Sequence, residues 1–158
     1  MDETMSHASP LKLLGLTTLS VLLTACGGQS ADPDSPEGKR QALFKQILNS
    51  SEPMDGMLRG RLAFDADIFA AHVERLVDLS DAPWEHFPEP GDSRQPNAAR
   101  PSVWSDAAGF AAAIERYQQS VSELAAVTAE QGDDPDALLA PLTTVQQACR
   151  GCHDDYRR

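Results

Sequence analysis

Near the C-terminus, Leu138, Leu142, Val145, Cys149, Cys152 and Tyr156 recur at steps of 4, 3, 4, 3 and 4. That spacing is the apolar seam of one inward-facing α-helix, so two cysteines fall on its buried stripe. They belong to Cys149-Arg150-Gly151-Cys152-His153, a CxxCH motif. Its chemistry is that of covalent haem attachment: each thiol adds across a haem vinyl and the adjacent imidazole falls under the iron. A thioredoxin-like redox pair would need a βαβ pattern, and none exists here. A zinc site would need more ligands than His72 and His86 can add. A structural disulfide would leave His153 without a purpose. One covalent haem c is the expected cofactor.

The rest of the chain supplies helices to surround it. Asp133, Asp134 and Pro135 open the last helix, with acidic groups at its positive end and a proline in its first turn. A second seam runs through Phe110, Ile114, Tyr117, Val121, Leu124 and Thr128, with Ser105 expected as N-cap and Gly132 as the stop. Another helix is expected from Asp65 to about Leu79, with Ile68, Phe69, Val73 and Leu76 as its apolar face and Pro83 beyond its end. The first runs from about Pro36 to Leu58 and carries Leu43, Phe44, Ile47, Leu48, Met54 and Leu58, with Pro53 expected to kink it. Between Asp81 and Val103 stand five prolines and no sustained periodicity, which predicts a long crossover loop. Strand-like alternation is absent. The expected fold is all-α: an antiparallel four-helix bundle over residues 37–158, with a haem in its core and one proline-rich crossover. His72 is expected to be a packing or surface residue, and His86 a loop residue without a site role.

Charge excludes other classes. With 13 Lys and Arg against 24 Asp and Glu, the formal charge is −11, which argues against nucleic acid or an anionic membrane surface as a partner. No run reaches the roughly 18 apolar residues of a membrane span. The N-terminus is different in kind. Leu13 to Leu23 form an 11-residue apolar stretch interrupted only by Gly15, Thr17, Thr18 and Ser20, and Thr24, Ala25 and Cys26 follow. This is a secretory signal sequence over residues 1–25, and its end resembles a bacterial lipobox, which implies a lipid on Cys26. Lys12 is offset by Asp2 and Glu3, and a start at Met5 would restore a basic leader. Acyl chains contribute about 0.8 kcal/mol per buried CH₂, enough together to hold the protein at a membrane surface. Gly27 after the cysteine implies, by resemblance to sorted lipoproteins, the outer membrane. Residues 26–36 read as a flexible tether. Removal of residues 1–25 leaves a charge of −10.

A CxxCH six residues from the C-terminus, on the last helix of a four-helix bundle, resembles the class II cytochromes c, and most closely the cytochrome c′ family. The likeness covers about residues 37–158: Lys39-Arg40-Gln41, Pro83-Trp84 and Phe87, Pro101-Ser102-Val103-Trp104-Ser105-Asp106, and Cys149 through Arg157. The resemblance implies that Cys149 and Cys152 are the thioether attachments and His153 the proximal iron ligand. It also implies that Arg157 lies beside the proximal haem face and that Arg40 meets a propionate; the plainer reading of either arginine is a solvated surface charge. In low-spin relatives a methionine four residues after the first-helix arginine ligates iron. Here that position is Phe44, which has no lone pair. Met54 is ten residues further on, about 15 Å along a helix, and Met57 further still, so both are expected in the core.

The implied haem is five-coordinate and high-spin, with an apolar distal pocket lined by Phe44. Such a pocket offers no donor to stabilise bound dioxygen, while nitric oxide and carbon monoxide need none. A gas-binding haem protein of the periplasm, able to transfer electrons, is therefore the first expectation; a low-spin electron carrier serving a redox partner is the alternative. No part of the sequence supports an enzyme with a general base or nucleophile. A homodimer through the first two helices is implied by resemblance. The acidic surface predicts a basic redox partner, whereas Arg150, Arg157 and Arg158 make the haem-bearing end locally positive.

Overall fold

A computed structural model describes residues 30–89 and 95–158. The signal sequence, Cys26 and the start of the tether lie outside the described residues. The architecture is all-helical: α1 (Pro36–Leu58), α2 (Ala66–Leu79), the single turn α3 (Ser102–Ser105), α4 (Ala107–Gln131) and α5 (Pro135–Tyr156), with one 3₁₀ turn at Trp84–His86 in the crossover. Among the described residues no helix is long and apolar enough to cross a membrane.

Each long helix starts where a side chain can take up orphan amides. Ser35 Oγ accepts from the Gly38 amide, and Pro36 at N1 has no amide to satisfy. Asp65 caps α2 through the Ile68 amide, and Asp134 caps α5 with Pro135 at N1. The cap of α4 is Asp106, which accepts from the Gly109 amide at 3.1 Å. Ser105 is not that cap: it ends the separate turn α3. The expected tether is also corrected at its C-terminal end. Ala31 is buried and the Asp32 amide donates to Gln95 Oε1 at 3.0 Å. Gly38 makes this packing possible, since a Cβ there would sit 1.9 Å from the Asp32 carbonyl oxygen. Both α1 and α5 continue through internal prolines, Pro53 and Pro141.

One core joins α1, α2, α4 and α5, built on Met54, Phe69, Val73, Leu76, Tyr117, Val121, Leu124, Leu138, Leu142 and Val145. Burying each large apolar side chain contributes about 1.5–3 kcal/mol. Met54 and Met57 lie in this core, as expected. Ile68 and Leu48 do not: they are half exposed, because α2 turns Phe69 and Leu79 inward and Leu48 edges the opening beside α1. Helix α4 packs most extensively on α5, α1 on α2 and α2 on α4, whereas α1 and α5 meet sparingly. The space left between α1 and α5 is where the site forms.

A polar clamp sets the width of that space at one end. Asp55 on α1 accepts from Gln146 Nε2 on α5 at 2.9 Å, from Arg59 Nε at 2.7 Å and from Arg61 Nη2. The Gln146 hydrogen bond lowers the Asp55 carboxyl most; desolvation opposes it, and the Arg61 and Arg59 guanidinium groups tip the balance and hold it down at about 2. A carboxylate depressed in the folded state adds stability above its ordinary pKa of about 4, and that stability disappears as pH falls toward 2. Asp55→Asn is therefore expected to lower unfolding free energy at pH 7 by about 1–2 kcal/mol and to flatten the loss of stability between pH 4 and 2. Urea titrations across that range measure both effects.

Candidate haem site

The cleft between α1 and α5 encloses about 1420 Å³, above the roughly 300–1,000 Å³ of most small-molecule sites. Cys149, Cys152 and His153 from α5 all line it, as do Arg40 and Phe44 from α1 and Arg157 from the C-terminal end. One helical turn presents the two sulfurs and the imidazole to the same space. The cysteines are unbonded thiols, half-buried rather than sealed in the core, and His153 is open to the cleft.

Burial raises both thiols, that of Cys149 to about 11, with the Cys152 sulfur adding to the effect. A dithiol of the thioredoxin kind has a depressed thiol, and the direction of this shift is the opposite. Desolvation and then the Arg157 guanidinium lower His153 below its ordinary value against a smaller opposing effect of Asp154. The imidazole is thus neutral at pH 7, the form that ligates iron.

The far wall is aromatic. Trp84, set by the 3₁₀ turn and by its Nε1 donating to the Ser80 carbonyl at 2.6 Å, touches four other rings. Its centroid is 5.7 Å from Phe44, 6.4 Å from Phe87 in a stacked arrangement, 6.3 Å from Phe110 and 6.0 Å from Tyr117. Phe110 continues the wall to Tyr156 at 5.1 Å. Tyr156 in turn donates to Asp106 Oδ2 at 2.9 Å, over Gly109, where a Cβ would stand 2.5 Å from the tyrosine oxygen. The Phe44 ring of α1 and the His153 ring of α5 meet edge to face where the two helices line the cleft, with centroids 6.3 Å apart at 74°.

The crossover also closes the end of the ligand-bearing helix. The carbonyls of Asp154, Asp155 and Tyr156, left without helical partners at the end of α5, accept from Arg100 Nη1 at 2.8 Å, Ser102 Oγ at 2.8 Å and the Arg100 amide at 2.9 Å. The Arg158 amide reaches the Ala98 carbonyl at 2.8 Å. Arg40 ties α1 to the same loop. Its Nη1 donates to the His86 carbonyl and its Nη2 to Asn97 Oδ1 at 2.9 Å, while its guanidinium lies 4.2 Å from the Phe87 ring centroid. Desolvation lowers the Arg40 pKa, opposed by Glu37 one turn away. The guanidinium still lines the cleft and carries further N–H groups, so it is compatible with a propionate. His86 contributes a backbone carbonyl rather than nothing, and His72 on α2 is not among the residues lining the cleft.

A covalent haem fits what is present. Two thiols and a neutral imidazole converge on one cavity, rings form its faces, and Arg40 and Arg157 supply cations. Tyr117 lines the same cavity, and its hydroxyl is buried without a hydrogen-bond partner, its pKa raised first by burial and then by Cys149. No group of three or more His, Cys, Asp or Glu that would hold a bare metal ion exists among the described residues.

Fold and site together define a c-type haem protein of the helix-bundle kind. A family model described as Cytochrome C′ matches residues 36–157. The chain is 33% identical over 130 residues to cytochrome c′ of Alcaligenes xylosoxydans xylosoxydans, covering 82% of this chain and 98% of the relative. It is 34% identical over 118 residues to that of Rubrivivax gelatinosus, covering 75% and 90%. The crystal structure of the Rubrivivax gelatinosus protein superposes with a TM-score of 0.70 at 34% identity, over 75% of this chain and 91% of that one. A nitric oxide complex of a leucine-to-isoleucine mutant of cytochrome c prime from Alcaligenes xylosoxidans gives 0.69 at 34%, over 79% and 98%. A carbon monoxide-bound leucine-to-glycine variant of the same protein gives 0.71 at 33%, over 82% and 99%. The chain belongs to the cytochrome c′ family, and its cofactor is covalent haem c.

Sequence reasoning missed the cap on α5 because Arg100 and Ser102 are far from it in the chain; only the helix-ending position of Tyr156 signals that something must cap there. Arg100→Ala is expected to fray this end. Amide exchange at Tyr156 and Arg157 should accelerate about tenfold, equivalent to about 1.4 kcal/mol, with exchange in the middle of α5 unchanged.

Proposed function

We propose that the protein is a five-coordinate, high-spin haem protein that binds nitric oxide, and also carbon monoxide, on the side of Phe44, and that it exchanges electrons as a second capacity. The covalently held haem supplies an iron able to take a diatomic gas and to pass between ferrous and ferric states. The observation that carries the reading is the pairing of α5 with α1 at the cleft: the residue that His153 meets there, edge to face at 6.3 Å between ring centroids, is Phe44, and Phe44 has no ligating atom. The methionines that would otherwise serve are committed elsewhere, Met54 being fully buried and Met57 7% exposed in the main core.

The chain's own residues set what enters. Gln41, one turn before Phe44, is turned to the loop: it donates to the Pro96 carbonyl and accepts from the Ala31 amide, both at 3.4 Å. On the Phe44 side the wall of Phe44 and Trp84 presents no free donor, since Trp84 Nε1 is committed to the Ser80 carbonyl, and this favours nitric oxide over dioxygen there. Relatives whose structures contain nitric oxide and carbon monoxide support this choice. The role proposed is binding rather than catalysis: the two thiols and the imidazole that line the cleft are the groups assigned to holding the haem. Phe44→Ala is expected to speed nitric oxide association with the ferrous protein about tenfold or more, measured by stopped flow. An unchanged rate would remove Phe44 from gating.

The proposed location is the periplasm, with a lipid on Cys26 holding the protein to the outer membrane. The apolar stretch ending in Leu23-Thr24-Ala25-Cys26 supports this reading. Cys26→Ala is expected to move the protein from the membrane fraction to the soluble one with its haem retained. A homodimer through α1 and α2 is also proposed, supported by Ile68 and Val77, 50% and 44% exposed on α2.

A further inference from the structure

The charge of this molecule is divided in a way its composition hides. The described residues contain 11 Lys and Arg and 21 Asp and Glu. Five of the cations, Arg40, Lys45, Arg61, Arg150 and Arg157, line the haem cleft, against only Glu52 and Asp55 of the acids. The cleft therefore carries a net +3 and the remaining described residues −13. Asp55, moreover, is already engaged by Arg59 and Arg61. If Arg40 and Arg157 serve the haem propionates, Lys45 on α1 and Arg150 on α5 remain exposed on the two helices that border the opening, with no ion pair among the described residues.

We infer that this basic rim is the docking surface for an acidic one-electron redox protein, and that the acidic remainder of the molecule turns such a partner so that only the haem edge meets it. The inference rests on the electron-exchange reading above and decides the sign of the partner. In an encounter one electron moves between the haem iron and the partner's redox centre, the one gaining the electron the other loses, with no atom transferred. A field this divided steers association even when the net charge opposes it, because screening limits the partner to charges within about 10 Å at 0.1 M salt. The favoured occupant is a protein rather than an anionic bilayer, since the surface surrounding the rim is acidic and a bilayer, unlike a small docking face, would meet that surface too.

The experiment is anaerobic oxidation of the ferrous full-length protein by two complex ions, ferricyanide as the anionic oxidant and tris(phenanthroline)cobalt(III) as the cationic one, between about 100 and 500 mM ionic strength, where screening confines the field to about 10 Å or less. The ferricyanide rate is expected to fall about fivefold or more as salt rises, against what the net charge dictates, and the cobalt rate to stay level or rise. The double variant Lys45→Glu, Arg150→Glu should lower the ferricyanide rate at about 100 mM about tenfold and abolish or reverse its salt dependence, with the haem spectrum as the check on folding. A ferricyanide rate that rises with salt in the wild type overturns the inference while leaving electron exchange intact. Failure of both oxidants to react overturns the electron-exchange reading itself. Binding to phosphatidylglycerol vesicles that the double variant loses, with ferricyanide kinetics insensitive to it, would assign the rim to lipid and overturn the inference.

Discussion

Everything in this molecule depends on one turn of α5 being held against an opening. An α-helix places residues three and four apart on the same face, so Cys149, Cys152 and His153 cannot avoid sharing one direction once the seam from Leu138 to Tyr156 is packed on α4. What the helix cannot supply is the room in front of it. That comes from the sparse meeting of α1 with α5, kept apart by rings at one end and joined by Asp55 and Gln146 at the other. Pack those two helices closely and the sulfurs would be ordinary core cysteines.

The crossover, which looks like mere connection, does three physical jobs. Its Trp84 turn builds the aromatic wall; its Arg100 and Ser102 satisfy the carbonyls that end α5; its His86 and Asn97 receive Arg40 from α1. The ligand helix is therefore fixed from both ends, by an acidic cap and proline at its start and by the loop at its finish. Prolines suit such a segment, because a chain that must cross the bundle without forming a helix of its own loses less entropy when its φ angles are already set.

Much of this was legible beforehand, for reasons that lie in particular residues. The helix bounds at Pro36, Leu58, Leu79, Pro135 and Tyr156 follow from caps and periodicity, both local signals, and the CxxCH motif states its chemistry outright. The errors were local competitions and long-range effects. Ser105 lost to Asp106 because the carboxylate both caps α4 and meets Tyr156, a partner fifty residues away. Ile68 and Leu48 match the apolar pattern yet are exposed, since a seam of four positions gives no information on which edge meets solvent. Pro141 sits inside α5 without ending it, because tertiary packing outweighs one lost amide. The buried Glu37, whose carboxylate oxygens have no hydrogen-bond partner, reads in the sequence as a routine first-turn acid at a positive helix end. The division of charge is invisible to composition, because it arises only when α1 and α5 bring Lys45 and Arg150 to one opening.

The central claim is an iron with His153 beneath it and only the Phe44 ring above. Electron paramagnetic resonance of the purified ferric protein tests that claim most directly. A high-spin axial signal without a low-spin component is the outcome the proposal predicts. A low-spin ferric spectrum, with methionine sulfur or a second nitrogen on the Phe44 side, would contradict it.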